Sequence, residues 1–366
     1  KLSASLNISD MAFWQKMKTN WFNSARVRAS WGQAGNLTGI STYGRFTNYS
    51  SSFINGLATY NLNTALGNEI VAPERASEFE FGTDLSFLNN KLGLAFTVYN
   101  KKIIDNSLLV QRTLAPSSGG STRFENVGNL TNKGWELGIN ANPVQTKNIN
   151  WSVYGSVSHN QNLVTASTQI APITLDNNGG SPSVILAGYP LGAFFGNYFV
   201  RDANGNLSLD AGGRPIAATT TGTTLARKVI GDPNPDWILS LSNTIDYKKL
   251  SFSFLIDGAQ GQQVFNADRR TRQGVGIGDY AEKEAKGQLP RGYIWSIYAT
   301  EEWRVESGSY IKLREVALSY QLPALAKFIK SATISVVGRN LISWDTYDGY
   351  DPETNTAGNS TVLRTI

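Results

Sequence analysis

The residues whose types and spacing best suit metal chemistry lie between positions 202 and 210. Side-chain oxygens occupy relative positions one, three, five and nine of this stretch, on Asp202, Asn204, Asn206 and Asp210. Calcium prefers oxygen ligands at alternate positions of a loop, so the spacing predicts a calcium site. The sixth position holds no Gly and the twelfth no Glu, unlike a typical calcium loop. A Gly-containing turn between two short strands is the alternative.

Aromatic side chains in two long polar segments suit a second kind of chemistry, the binding of sugars. Rings stack on sugar faces, and Asn or Asp oxygens accept hydrogen bonds from hydroxyl groups. We predict that the residues in contact with substrate include Tyr43, Tyr49, Tyr60, Tyr293 and Trp295. The same side chains also suit the packing of a lid or the binding of a partner protein.

Catalytic chemistry has little support in the composition. The 366 residues include a single His, His159, and no Cys, so cysteine nucleophiles, thiolate metal sites and multi-histidine centres are excluded. No nucleophile-elbow pattern accompanies His159, and a loop or interface contact is the better interpretation. We therefore predict no enzyme activity, no catalytic residues and no organic cofactor. The net charge of +5 is too small to indicate nucleic-acid binding, which needs a basic patch.

The elements that must position these residues show an apolar period of two. From residue 79 to 87 the odd positions hold Phe, Phe, Thr, Leu and Phe, whereas the even positions hold Glu, Gly, Asp and Ser. The pattern restarts at Leu92 and recurs along the chain. Such alternation predicts β-strands with one apolar face and one polar face.

Strand and link lengths separate a soluble sandwich from a membrane barrel. We predict about ten strands, near residues 2–8, 24–35, 77–88, 91–104, 134–143, 149–161, 236–247, 250–265, 308–322 and 332–343. Short links alternate with long ones, and the long ones cover residues 36–76, 105–133, 162–235 and 266–307. Tight periplasmic turns and long extracellular loops of an up-and-down barrel produce this alternation. We therefore predict an all-β, antiparallel transmembrane barrel in which 162–235 is a large extracellular loop.

Several motifs resemble those of one family of membrane proteins. In chain order they are VRASWGQAGN (27–36), PERASEFEFG (73–82), FENVGN (124–129), NKGWE (132–136), GYPLGAFFG (188–196), IGDPNPDW (230–237), GSYIKLREV (308–316), GRNL (338–341) and YDGYDPE (347–353). Together they cover nearly the whole chain. The sequence resembles SusC/RagA-type TonB-dependent outer-membrane transporters of Bacteroidota.

The resemblance implies that residues 1–366 are part of one transmembrane β-barrel domain. A complete barrel of this family would have about 22 strands around a plug domain. The ten predicted strands match roughly numbers 12 to 21 of such a barrel, without the plug, the amino-terminal strands and the last strand. An open sheet of this kind would leave two unpaired edges, which lipid does not tolerate. We therefore expect the chain to belong to a longer polypeptide or to be completed by other chains.

The resemblance also implies a function. We expect a multi-pass protein of the outer membrane that contacts lipid and imports a nutrient, either an oligosaccharide or a peptide. Its partners would be a SusD-like surface lipoprotein and TonB, the latter through the plug region that is absent here. Three alternatives stay open: a passive porin-like channel, a soluble carbohydrate-binding β-sandwich and a surface adhesin.

Overall fold

The structure is a computed structural model that describes residues 1–17, 21–37, 40–176, 182–323 and 331–353. In chain order its strands are β1 (Leu2–Asn7), β2 (Phe22–Asn36), β3 (Tyr49–Ile54), β4 (Leu57–Leu62), β5 (Ala65–Leu66), β6 (Glu74–Phe87), β7 (Leu92–Ile103), β8 (Leu109–Thr113), β9 (Thr122–Asn126), β10 (Gly128–Gln145), β11 (Ile149–Ser167), β12 (Ile173–Asp176), β13 (Ser183–Ile185), β14 (Ala193–Asn197), β15 (Arg227–Gly231), β16 (Trp237–Tyr247), β17 (Leu250–Gln260), β18 (Gln263–Phe265), β19 (Val305–Ser307), β20 (Tyr310–Leu322) and β21 (Ala332–Asp345).

The helices are short and lie between strands. They are α1 (Ala12–Met17), α2 (Ala267–Gly274), α3 (Asp279–Ala285) and α4 (Tyr293–Tyr298), with 3₁₀ turns at Ile8–Asp10, Pro116–Ser118 and Glu301–Arg304. In the described part of the chain, no helix combines the length and the apolar character that a membrane crossing requires.

Ten strands form one antiparallel sheet in the order β1-β2-β6-β7-β10-β11-β16-β17-β20-β21. Each strand pairs with the sheet strand that follows it along the chain, which confirms the ten predicted strands and their up-and-down order. Short links at 88–91, 146–148 and 248–249 alternate with long links at 37–73, 104–127, 168–236 and 261–309. The predicted short link near 323–332 lies mostly outside the described residues.

Several predicted strand ends were wrong, and backbone geometry explains one of them. β17 ends at Gln260 rather than at residue 265. Gly261 follows with a φ of +97°, in the region that interrupts a strand and favours glycine. Residues 263–265 then form the separate strand β18, which pairs with β19.

Other strands are longer than predicted. β10 begins at Gly128 rather than at 134, and β11 ends at Ser167 rather than at 161. In these extensions Leu130 and Val164 are buried and pack against residues of the long loops. Packing therefore extends the strands where periodicity alone ends them.

Side chains alternate between two faces of the ten-stranded sheet. The apolar face includes Phe79, Phe81, Phe96, Val98, Leu241, Ile245, Phe252, Leu318, Ile334 and Val336, each between 36% and 67% exposed. The opposite face carries Ser, Asn, Thr and charged residues on the same strands. Large apolar groups are exposed in the middle of long strands, as expected when that face meets lipid and the polar face lines a lumen. We call the polar side the lumenal face.

The buried apolar core lies among the long loops rather than within the sheet. Its members are Ile103, Leu108, Val110, Val127, Leu130, Val164, Ile173 and Ile185. They come from strand ends of the large sheet, from loop strands of the small sheets β5-β9-β8 and β12-β13-β14-β15, and from the adjoining loop positions Leu108 and Val127. This core joins two long loops into one packed unit at one end of the sheet.

The two faces predict opposite effects of a new charge at neighbouring positions. Leu241 faces the apolar row with Gly155 and Ile256, whereas Ser242 lies on the lumenal face of the same strand. We expect Leu241→Arg to lower the free energy of unfolding by about 2–4 kcal/mol, the cost of a mid-membrane arginine facing lipid. Ser242→Arg is the matched control, expected to change it by only about 0.5 kcal/mol. Urea unfolding in lipid vesicles, followed by tryptophan fluorescence, measures both, and equal losses would contradict the assignment of the faces.

Candidate functional site at the lumenal face and the long loops

Long side chains on the lumenal face cross a glycine to reach the strand beyond. Arg28 of β2 lies over Gly82 of β6, and its Nη2 donates to Thr97 Oγ1 of β7 at 2.6 Å. A Cβ at Gly82 would lie 2.8 Å from the Arg28 Cζ. The glycine therefore leaves the path open for the guanidinium.

The same arrangement recurs two strands further along the sheet. Tyr99 of β7 lies over Gly134 of β10, and its hydroxyl donates to Asn160 Oδ1 of β11 at 3.1 Å. A Cβ at Gly134 would lie 2.5 Å from the Tyr99 hydroxyl and 2.3 Å from the backbone oxygen of His159. Two side chains thus tie alternate strands together across the polar wall.

An ion pair and a hydroxyl–carboxylate hydrogen bond also lie on this part of the lumenal face. The Arg26 Nη2 lies 2.7 Å from Asp84 Oδ2, and Ser30 Oγ donates to Glu80 Oε2 at 3.1 Å. The Arg26 side chain is 53% exposed, and exposed ion pairs contribute little to stability. The wall is therefore a hydrated polar surface, suited to lining a passage.

The single histidine lies on the apolar face at the loop end of the sheet. His159 pairs in register with Trp135 and Trp237 on the two flanking strands. Its Nδ1 is 2.7 Å from the backbone oxygen of Asp236, and its ring centroid is 4.6 Å from that of Trp237. These contacts agree with a role at an interface and place His159 in an aromatic row.

Two predicted contact residues share one face of the hairpin β3–β4. Its turn at Asn55 and Gly56 has φ values of 51° and 79°, which suits a two-residue hairpin loop. The register places four apolar side chains on the same face, Tyr49, Phe53, Tyr60 and Leu62. Tyr49 is 68% exposed and Tyr60 is 77% exposed. The hairpin therefore presents an uncovered aromatic face.

The other predicted contact residues lie before this hairpin and in a different loop. Tyr43 is exposed in the turn before β3. Tyr293, on α4, stacks on Tyr280 with centroids 6.1 Å apart and rings nearly parallel. Trp295, also on α4, is 72% exposed. The structure thus distributes the five predicted residues over two loops, and Tyr293 is part of the packing of its own loop.

The predicted calcium ligands lie in consecutive tight turns. Asp202 Oδ1 accepts from the backbone N–H groups of Asn204 and Asn206, both at 2.9 Å. These bonds, with that from the Asn206 N–H the largest, lower the pKa of the Asp202 carboxyl. Asp210 accepts in the same way from Gly212 and Arg214. This is the geometry of the alternative interpretation, a turn between short strands.

The calcium site stays a prediction. The Asp210 carboxylate also forms an ion pair with the Arg214 guanidinium at 2.8 Å, which supplies a cation from the chain itself. Among the residues that the structure describes, no cluster of three or more His, Cys, Asp or Glu side chains suits a metal ion.

The most deeply buried charged cluster was missed by the sequence analysis. Lys312 and Arg314 on β20 form ion pairs with Asp351 and Glu353, which follow β21. The alternation Ile-Lys-Leu-Arg indicates that both cations face the lumen. Their partners are about forty residues away along the chain, at a separation of 39 for Lys312 and Asp351, so only the fold reveals the pairing.

Comparison with known proteins agrees with this geometry. The family described as "TonB dependent receptor-like, beta-barrel" matches residues 3–341. TonB-dependent receptor P26 of Formosa agariphila is 27% identical over 98% of this chain and 39% of its own length. TonB-dependent receptor SusC of Bacteroides thetaiotaomicron is 23% identical over 78% of this chain and 30% of its own.

A solved structure shares the fold. The RagAB peptide transporter structure superposes with a TM-score of 0.75 at 20% identity, over 98% of this chain and 42% of the matched chain. Together, the ten-stranded sheet with its apolar and polar faces defines the wall of a transmembrane β-barrel. The chain belongs to the TonB-dependent receptor family, whose barrels lie in the outer membrane. It spans about two fifths of the length of P26, with 39% covered.

Gly134 offers a test of the glycine crossings. We expect Gly134→Ala to lower the free energy of unfolding by about 1–3 kcal/mol, the usual cost of overpacking, because the new methyl group meets both Tyr99 and backbone. Gly138→Ala is the matched control on the same strand and face, since its nearest neighbour would be the Ala95 Cβ at an ordinary 3.8 Å. The thermal midpoint of the heat-dependent gel shift of the folded barrel compares the two variants. A midpoint for Gly134→Ala equal to that of Gly138→Ala would disprove the crossing.

Proposed function

We propose that this chain forms part of the barrel wall of an outer-membrane transporter that imports a nutrient with energy supplied through TonB. The observation that carries the proposal is the family match over residues 3–341. The two-faced sheet supports it, because a polar wall inside an apolar exterior is what a hydrophilic solute requires. The chain's share is passive: it supplies lumen wall and loops, and no catalytic step.

A plug domain from another part of the polypeptide would occupy the lumen. The wall is uneven in a way that supports this. The long side chains Arg26, Arg28 and Tyr99 lie on β2 and β7, toward one edge of the sheet. The middle strands β11 and β16 instead carry the short side chains Ser156 and Ser240 at paired positions. Short side chains leave room for a second layer of protein against the wall.

A SusD-like surface lipoprotein is the proposed partner at the long loops. The chain is similar to SusC and, in fold, to the RagAB peptide transporter. The hairpin β3–β4 supports a partner because a two-stranded hairpin with an uncovered apolar face is marginally stable by itself. Large exposed apolar surface on such an element is typical of an interaction site.

The proposed cargo is an oligosaccharide or a peptide. Tyr43, Tyr49, Tyr60 and Trp295 are exposed and offer ring faces for stacking, whereas Tyr293 would act through the Tyr280 stack. Calcium bound at Asp202 and Asp210 would order the turns of the loop between β11 and β16. Each of these roles is part of the proposal.

TonB dependence separates active import from a passive channel. We expect whole cells to accumulate at least one radiolabelled member of an oligosaccharide and peptide panel. Deletion of the transporter or of tonB should abolish that accumulation, because the energy for import comes from the inner membrane. Growth on a freely permeating sugar is the control for general fitness. Accumulation that persists without TonB would instead support a porin-like channel.

The aromatic hairpin face can be tested against its own opposite face. We expect Tyr49→Ala with Tyr60→Ala to weaken substrate affinity or lipoprotein co-purification by about tenfold, corresponding to about 1.4 kcal/mol. Ser50→Ala with Asn61→Ala is the matched control, since these residues pair on the other face of the same hairpin. Fluorescence binding and quantitative pull-down with the wild-type lipoprotein tell the two roles apart. If both readouts are unchanged in the tyrosine variant, the face has neither role.

A further inference from the structure

Two cations at the loop end of β20 point into the lumen. Their side chains are largely buried, with 5% of Lys312 and 17% of Arg314 exposed. Arg314 is the extra residue of a β-bulge toward β17, since its neighbours Leu313 and Glu315 pair with the consecutive residues Ile256 and Leu255. A β-bulge bends its strand and changes the direction of the side chain at the bulge. Lys312 and Arg314 are two residues apart, so alternation places both on the lumenal side of the strand, and the bulge leaves Arg314 without a register partner there.

The segment after β21 folds back over these cations. We call residues 346–353 the strap. Lys312 Nζ donates to Asp351 Oδ1 and to Glu353 Oε2, the latter at 3.0 Å. Arg314 Nη2 donates to Glu353 Oε1 at 2.8 Å. Two strap carboxylates therefore cover two cations of the wall.

The strap is held at a second place, away from the cations. The Asp348 N–H donates to Glu306 Oε2 at 2.9 Å, and the Asp348 backbone oxygen accepts from Arg272 Nη2 at 2.6 Å. These contacts lie on the loop that carries α2 and β19. The Asp348 end can stay anchored while the Asp351 end moves.

Arg314 also has a carboxylate partner outside the strap. Its Nε donates to Asp257 Oδ1 of β17 at 2.7 Å. The Tyr310 ring supports both cations, with Lys312 Nζ at 4.8 Å and Arg314 Cζ at 5.8 Å from its centroid. The wall therefore keeps a pre-organised pair of cations on an aromatic base, and preorganisation favours ligand binding.

We propose that Lys312 and Arg314 form a carboxylate-binding site that the strap occupies as an internal competitor. The ligand is the carboxylate of the imported molecule, whether an acidic sugar or a peptide carboxyl terminus. The proposal rests on the proposed import function and narrows its substrate class. Among the described residues, Lys312 and Arg314 pair with Asp351 and Glu353 of the strap and with Asp257 of β17, and displacement of the strap leaves them Asp257.

Charge explains why the exchange selects an anionic ligand. Removing a partner from a buried ion pair is costly because it leaves an uncompensated charge. A neutral ligand that displaced the strap would leave Lys312 in that state, whereas a ligand carboxylate replaces Asp351 or Glu353. Burial raises the pKa of Glu353, but hydrogen bonds from Lys312 and Arg314 bring it below its ordinary value. Glu353 is therefore an anion at neutral pH.

Binding to the complete native polypeptide in detergent tests the proposal with two matched pairs of probes. One pair is tetragalacturonate and the neutral galactose tetramer; the other is a pentapeptide with a free carboxyl terminus and its amide. We expect the charged member of one pair to bind more tightly, and that pair identifies the source of the carboxylate. Asp351→Asn with Glu353→Gln should tighten its binding about tenfold, because the competing closed state is weakened.

Two further measurements test the roles of the cations and of the strap separately. Lys312→Gln with Arg314→Gln should abolish the preference for charge, whereas Arg26→Gln, a lumenal arginine elsewhere in the sheet, should preserve it. Residues 1–366 contain no Cys, so Tyr350→Cys, at a position 78% exposed, adds the spin-label site of this part of the polypeptide, and the complete polypeptide without this substitution gives the background signal. The charged probe should increase the label's mobility. This readout applies even if the Lys312 and Arg314 variant fails to fold.

The outcomes separate this proposal from the import function. Equal binding of charged and neutral probes, or tight binding without strap movement, would overturn the carboxylate site while TonB-dependent uptake stays intact. Loss of TonB dependence with a preserved charge preference would overturn active import but leave the site.

Discussion

The ten-stranded sheet depends on one constraint: in lipid, backbone N–H and C=O groups must find partners within the protein. An antiparallel sheet meets it by pairing each strand with its neighbours, so ten strands follow one another without a crossover. Because successive side chains point to opposite faces, the same ladder separates an apolar exterior from a polar lumen. A wall of this kind has no interior of its own. The buried apolar core accordingly lies among the long loops, around Val164 and Ile185.

The polar wall and the loops contain different kinds of side-chain contact. On the wall, Arg28 and Tyr99 cross glycines and join strands that are not neighbours. In the loops, aromatic and charged side chains form separate units: the exposed hairpin β3–β4, the helices α2 to α4 and the tight turns at Asp202. The strap connects these two regions, because it is anchored on the loops at Asp348 and on the wall at Lys312. The strap therefore links the loops to the lumenal wall.

The sheet was predictable because its signal is local and repeated. Alternation at Phe79–Phe87 identifies a strand without any tertiary information, and link lengths identify which strands are neighbours. Strand ends were less predictable. β10 and β11 continue to meet the loop core at Leu130 and Val164, and β17 stops where Gly261 turns the chain. The alternation of apolar and polar residues predicts neither the packing of the loops nor the φ angle of a single residue.

The sequence by itself determined the fold class, the order of the strands, the two faces of the sheet and the resemblance to a transporter family. These follow from residue alternation and motif order, which are properties of the chain read in one dimension. The tertiary structure alone decided which charges meet. Lys312 and Asp351 are 39 residues apart in sequence, and they meet because the strap folds back over β20. Contacts between distant residues depend on register and chain reversal, and no local pattern encodes them.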